Sequence, residues 1–183
     1  MDRLDIIEAN SIEIQNSLKE IASQQKKTDE QQKKTDAQLR KAEKILGNIG
    51  VNLGVVAEEY FFDSLESSML LGNIKFDDIQ PNVKAKVGKV QDEFDIVLYN
   101  GNSIALIEVK HKVHPNDIEI LKTQKVQNFK RLFPYYADYK FYLGIAGFSI
   151  PKEIVNLAKQ NGMAVLKQKG NLIDINDTEL KAY

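Results

Sequence analysis

Residues Glu93–Lys112 read EFDIVLYNGNSIALIEVKHK. The segments Glu93–Tyr99 and Ser103–Lys110 are rich in Ile, Val, Leu and Tyr, as strands are. Asn100-Gly101 between them is the strongest short signal for a two-residue hairpin turn. The second strand is apolar from Ile104 to Ile107, the pattern of a strand covered on both faces. It then closes on Glu108, Val109 and Lys110. Charges at the end of a buried strand are costly unless something pairs with them.

A two-residue turn sets Tyr99 opposite Asn102 and Asp95 opposite Leu106. Directly paired residues share a face, and side chains alternate along each strand. Asp95, Glu108 and Lys110 are therefore expected on one face. Asp95 lies diagonal to Glu108, and Glu93 falls opposite Glu108 and joins the cluster. A turn two residues longer preserves this conclusion; an odd loop or a bulge reverses it. Without Asp95 beside them, Glu108 and Lys110 would be a surface ion pair worth roughly 0–1 kcal/mol.

Gathered carboxylates repel one another, and a divalent cation relieves them. Oxygen ligands with no cysteine favour a hard ion, Mg²⁺ or Mn²⁺. The backbone carbonyl of Val109 offers a further oxygen. Such an ion polarises a phosphoryl oxygen and lowers the pKa of a bound water. Lys110 supplies positive charge beside the attacking water or the transition state. Glutamate, one residue, lysine at a strand end is a sensible apparatus for phosphodiester hydrolysis.

Working outward, Val55–Leu65 reads as a helix and Ile79–Val87 as a strand, with Pro81 marking an edge or a strand start. Pro115 suits the first turn of a helix running to about Phe133. Its inner face is Ile118, Leu121, Val126, Phe129 and Leu132. Lys140–Ala146 is a strand, Pro151–Gln160 a helix, and Met163–Lys167 and Leu172–Ile175 short strands. The step through 115–133 predicts a right-handed parallel crossover. The fold class is α/β: a mixed sheet flanked by helices.

With its flanking elements, EFDIVLYNGNSIALIEVKHK resembles the core of the PD-(D/E)xK nuclease superfamily, the restriction-endonuclease-like fold. The resemblance covers roughly Leu53 to Ile175. It implies an αβββαβ core with Asp on the second strand and E-x-K on the third. Asp95 and Glu108-Val109-Lys110 fit that pattern, although Phe94 stands where the family name has proline. The family often adds a glutamate on the first core helix, four residues after a glycine. Gly54 and Glu58 in GVVAEEY supply it, with Glu59 as the fallback. The resemblance implies a Mg²⁺- or Mn²⁺-dependent nuclease acting on nucleic acid, DNA foremost. Asp95, Glu108 and Val109 would hold the metal, Glu58 would support it, and Lys110 would position or activate the water. The rival reading is a scaffold or nucleic-acid-binding oligomer that keeps the fold without hydrolysis.

Other polar residues near the site have plainer readings. His111 and His114 read as loop histidines, and Gln124 and Gln127 as helix residues of weak promise. Lys112, Lys122, Lys125, Lys130 and Arg131 form either a phosphate-facing strip or, more commonly, a solvated helix face.

The N-terminal part is of another kind. QQKKTDE at 24–30 is followed at once by QQKKTDA at 31–37. In that register Leu4, Ser11, Leu18, Gln25, Gln32, Leu39, Leu46 and Leu53 take one heptad position. Ile7, Ile14, Ile21, Thr28, Thr35, Ala42, Ile49 and Val56 take the other. This is the a/d pattern of a coiled coil with a polar middle. No proline precedes Pro81 and no glycine precedes Gly47. A helix from about Asp2 to about Leu46 would be about 65 Å long, and self-association is the economical way to bury its stripe. Leu at a with Ile at d leans towards more than two strands. The expected organisation is a coiled-coil oligomerisation helix at 1–46, a glycine-rich joint at 47–53 and a nuclease-like domain at 54–183.

Composition narrows the rest. The 183 residues suffice for one domain with an appendage. No cysteine is present, so disulfides and thiolate metal sites are excluded. A reducing cytoplasm is the expected location. No apolar run reaches the roughly 18 residues that span a membrane. The formal net charge is −1, and residues 1–46 carry as many acidic as basic groups. Nucleic-acid binding would then rest on a local patch or on bound metal.

Overall fold

The computed structural model describes residues 3–169 and 172–183, with backbone alone for 3–15, 37, 42–49, 51 and 172. The chain divides into two compact units, residues 1–50 and 51–183.

Helix α1 (Arg3–Glu66) is the only secondary structure among the described residues of the first unit, and its residues from 51 on belong to the second. The joint expected at 47–53 is helical. Each glycine there costs a helix about 1 kcal/mol relative to alanine, which weakens it without breaking it when no proline intervenes. In the first unit Leu18, Ile21 and Leu39, all at expected a or d positions, are 59, 52 and 58% exposed. The side chains of Leu4, Ile7, Ser11, Ile14, Ala42, Leu46 and Ile49 lie outside the described residues, as does the backbone of Asp2.

In the second unit α1 buries Ala57, Phe61 and Leu65, spaced four apart and so on one helical face. It ends near Met69, whose φ is 48° and whose N–H donates to the Leu65 carbonyl at 2.7 Å. A two-residue ladder follows, β1 (Leu70–Leu71) against β2 (Ile74–Lys75), which the sequence did not announce. The main sheet holds, in spatial and chain order, β3 (Asp78–Val87), β4 (Val90–Tyr99), β5 (Ser103–Lys112), β6 (Lys140–Ser149), β7 (Ala164–Lys169) and β8 (Leu172–Asn176). β5–β6 and β6–β7 are parallel and the other neighbours antiparallel. Between β5 and β6 run α2 (Pro115–Ile120), a π-helical turn at Leu121–Lys125, and α3 (Val126–Leu132). Helix α4 (Lys152–Gln160) links β6 to β7. This is the mixed α/β sheet and the αβββαβ order expected from the sequence.

Two cores cover the sheet. One joins Val97, Ile104, Leu106 and Leu143 to Ile118, Leu121, Val126 and Phe129 of the crossover helices and to Ile154 of α4. The other joins Ile96, Leu98, Ala105, Ile107 and Val109 to Ala57, Phe61 and Leu65 of α1. Burying one such Phe or Leu contributes about 1.5–3 kcal/mol. The alternation along β4 breaks at one place: Phe94 belongs to the first core, yet Ile96, two residues on, belongs to the second. On β3, Ile79 packs on the second core and Val83 on the first, although they share parity. The β3–β4 ribbon therefore turns over where Asn82 faces Asp95. That pair is missing from a ladder that is regular on both sides, and Asn82 has φ of 51°. Asparagine tolerates that left-handed backbone better than most residues.

Candidate active site

The turn between β4 and β5 is longer than the Asn-Gly pair implies. Tyr99 lies opposite Ile104 rather than next to the turn opposite Asn102. The Asn100 side chain makes the difference: its Oδ1 accepts the N–H groups of Asn102 and Ser103 at 3.1 and 2.8 Å, and the Asn100 N–H donates to the Ser103 carbonyl. The lengthening is even, so the faces are those expected.

The β4–β5 ladder stops at Ile96–Ile107, the next level being Asp95 with Glu108. Here the ribbon turns away, and the Val109 N–H loses its main-chain acceptor. The carboxylate of Asp95 replaces it, Oδ2 accepting at 2.7 Å. Asp95 and Glu108 are each only 8% exposed. Lys110 Nζ donates to Glu108 Oε1 at 2.5 Å and stands 3.8 Å from Asp95 Oδ2. The three residues singled out as the catalytic core are thus one bonded group at the carboxyl end of a central strand. Gly147 on β6, level with Lys110, allows the close approach: a β-carbon there would lie 2.8 Å from the Lys110 carbonyl.

The electrostatics follow from burial and an excess of negative charge. Burial, then the neighbouring Glu108, push the Asp95 carboxyl up to about 7, against the opposing pull of Lys110, the Val109 N–H and Lys125. Burial alone would lower the pKa of Lys110, but the charge and hydrogen bond of Glu108 and the charge of Asp95 raise it. Lys110 is therefore an ammonium at neutral pH, a donor and not a base.

Glu58 stands half-buried on α1 beside Ala57. Burial, then the charges of Glu93 and Glu108, raise its pKa, while Lys110 lowers it. It shares the field of the site, but among the described residues no three acidic or histidine side chains converge as a metal site. Glu59 is exposed. Val109 contributes its N–H to Asp95 and its buried side chain to the α1-side core. Two buried carboxylates suit a hard ion that keeps several of its waters.

Glu93 departs from expectation. It does not join Asp95 and Glu108: the longer turn moves it one level beyond Glu108, and its carboxylate pairs with Lys84 at 2.9 Å with 47% of the side chain exposed. His111 stacks edge-on to Phe148, and the His114 N–H donates to Asp117 at the start of α2. Gln124 and Gln127 face solvent. The basic strip does not form as a unit, since Lys122 bonds Asn161 and Lys130 lies over the Phe141 ring.

Lys125 and Asp92 are the residues that sequence reasoning undervalued. Lys125 Nζ lies 3.5 Å from Glu108 Oε2 and 3.1 Å from Asp92 Oδ1, with only 14% of its side chain exposed. It also donates to the Glu93 carbonyl. Asp92 is held by Asn128 at 2.8 Å and by the Glu93 N–H at 2.9 Å. These bonds and Lys125 outweigh burial and keep its pKa low. The signal was the apolar spacing: Leu121 to Val126 is five residues where an α-helix gives three or four. The π turn absorbs the extra residue, so that Val126 stays in the core with Lys125 beside it. Such turns are frequent at functional sites.

No family model and no curated protein matches the chain. Solved structures similar in fold include an EndoMS–dsDNA complex, with TM-score 0.40 and 13% identity over 62% of this chain and 44% of that one. A repair endonuclease from Pyrococcus abyssi has TM-score 0.36 and 18% identity over 51% of this chain and 39% of its own. The small subunit of the heterodimeric restriction endonuclease R.BspD6I has TM-score 0.33 and 15% identity over 62% of this chain and 61% of its own. The chain therefore spans less than half the length of the first two.

Proposed function

We propose that the chain is a divalent-metal-dependent nuclease that hydrolyses phosphodiester bonds in DNA. One observation carries the reading: two buried carboxylates, Asp95 and Glu108, share one lysine at the open end of a central strand. Burial and Glu108 raise the Asp95 carboxyl to about 7, and strongly perturbed acids cluster at sites that bind a cation or do acid–base work. Asp95 and Glu108 would hold Mg²⁺ or Mn²⁺ with the Val109 carbonyl, and Glu58 would bear on it from α1. The bound ion supplies a polarised phosphoryl oxygen and an acidified water. Lys110, an ammonium, places positive charge where the pentacoordinate transition state gathers negative charge. Exposed Leu18, Ile21 and Leu39 favour self-association through α1.

The test is cleavage of supercoiled plasmid and of single-stranded DNA with Mg²⁺ or Mn²⁺. Native protein should cut, and Glu108→Ala and Lys110→Ala should each lose at least about a hundredfold, the scale of one electrostatic catalytic group. Equal activity in all three would sink the assignment. A silent scaffold of the same fold is the second reading, favoured by the two lysines that already cover both oxygens of Glu108. It predicts no cleavage by the native chain.

A further inference from the structure

We propose that Lys125 is the built-in cation of the metal-free site, holding Glu108 until a divalent ion takes its place and then withdrawing onto Asp92. This rests on the metal-dependent reading above and adds a positioning residue to it.

The geometry points to an exchange. Each oxygen of Glu108 faces an ammonium group, Oε1 that of Lys110 and Oε2 that of Lys125. A divalent ion on this carboxylate would bring two further positive charges within a few ångströms of both, in a site where water screens poorly. One lysine must yield. Lys110 is tied to Asp95 as well as Glu108, so both its carboxylates belong to the ion's own ligand set. Lys125 differs. Its nearer carboxylate is Asp92 at 3.1 Å, against 3.5 Å to Glu108, and the Glu93 carbonyl also accepts from it. The Phe94 ring, 5.4 Å from Nζ, supports the ammonium from one side. Releasing Glu108 leaves Lys125 with these three partners, so withdrawal strands no buried charge. Asp92 is fixed to receive it by Asn128 and the Glu93 N–H. Lys125 closes the π turn, four residues after buried Leu121 and next to buried Val126, so it borders the core while its ammonium reaches Glu108.

The proposal predicts opposite effects from two neighbouring changes. By calorimetry with Mg²⁺ alone, Lys125→Met should bind about tenfold tighter than native, because the competing charge is gone. Asp92→Asn should bind about tenfold weaker, because Lys125 then keeps Glu108 as its only carboxylate. In EDTA, Lys125→Met should melt below native, and saturating Mg²⁺ should narrow that gap in line with the tighter binding. A lysine that merely props the helix would leave the gap as wide and the affinity unchanged or lower, which overturns the proposal. If native protein binds Mg²⁺ and neither variant shifts its affinity in the stated direction, the proposal fails alone. If native and both variants bind no Mg²⁺, it falls together with the metal reading.

Discussion

Asp95 answers two demands at once. It supplies the acceptor that Val109 loses where the ribbon turns away, and it stands beside another buried acid. The second demand makes its charge expensive. Its pKa in the fold, about 7, lies above the ordinary 3.8. Below pH 4 the group is protonated folded and unfolded, and its contribution is intact. As pH rises through 7 the folded chain must ionise it against Glu108, and that contribution is lost. In EDTA, native stability should fall relative to Asp95→Asn between pH 4 and 8, by on the order of 4 kcal/mol. Urea unfolding measures it; parallel stability–pH curves would show that Asp95 ionises without cost. The residues of this site were legible to different degrees. Asp95, Glu108 and Lys110 follow from strand alternation, which an even change in turn length cannot disturb. Glu93 was misplaced because register, unlike parity, depends on how the Asn100 side chain closes the turn. Lys125 was underrated because a lysine on a helix is usually solvated, and only the five-residue gap in the apolar stripe marked it.

At the scale of elements, the order of strands and helices along the chain and the parallel crossover were readable from alternation, the Asn-Gly turn and Pro115. The turnover of the β3–β4 ribbon was not, since it rests on a left-handed Asn82 and on which core each end meets. The glycines of 47–53 were read as a joint, and the backbone there is helical. In α1, the exposure of Leu18 and Ile21 at a and d positions has a direct consequence. The native chain should sediment as an oligomer, and Leu18→Lys with Ile21→Lys should shift it towards monomer while the circular-dichroism signature of the α/β domain persists. A native monomer at tens of micromolar would contradict the coiled-coil reading.

For the molecule as a whole, a formal net charge of −1 denies it the general attraction that basic proteins have for nucleic acid. On the proposed reading, affinity for a phosphodiester would come from the site: Lys110, and a bound metal that would reverse the sign of the field around Asp95 and Glu108. The most direct measurement is Mn²⁺ binding followed by electron paramagnetic resonance, on native protein and on Asp95→Asn and Glu108→Gln. The account predicts one ion bound per native chain and its loss in both variants. Binding that is absent from the native chain, or equally strong in all three proteins, would contradict it.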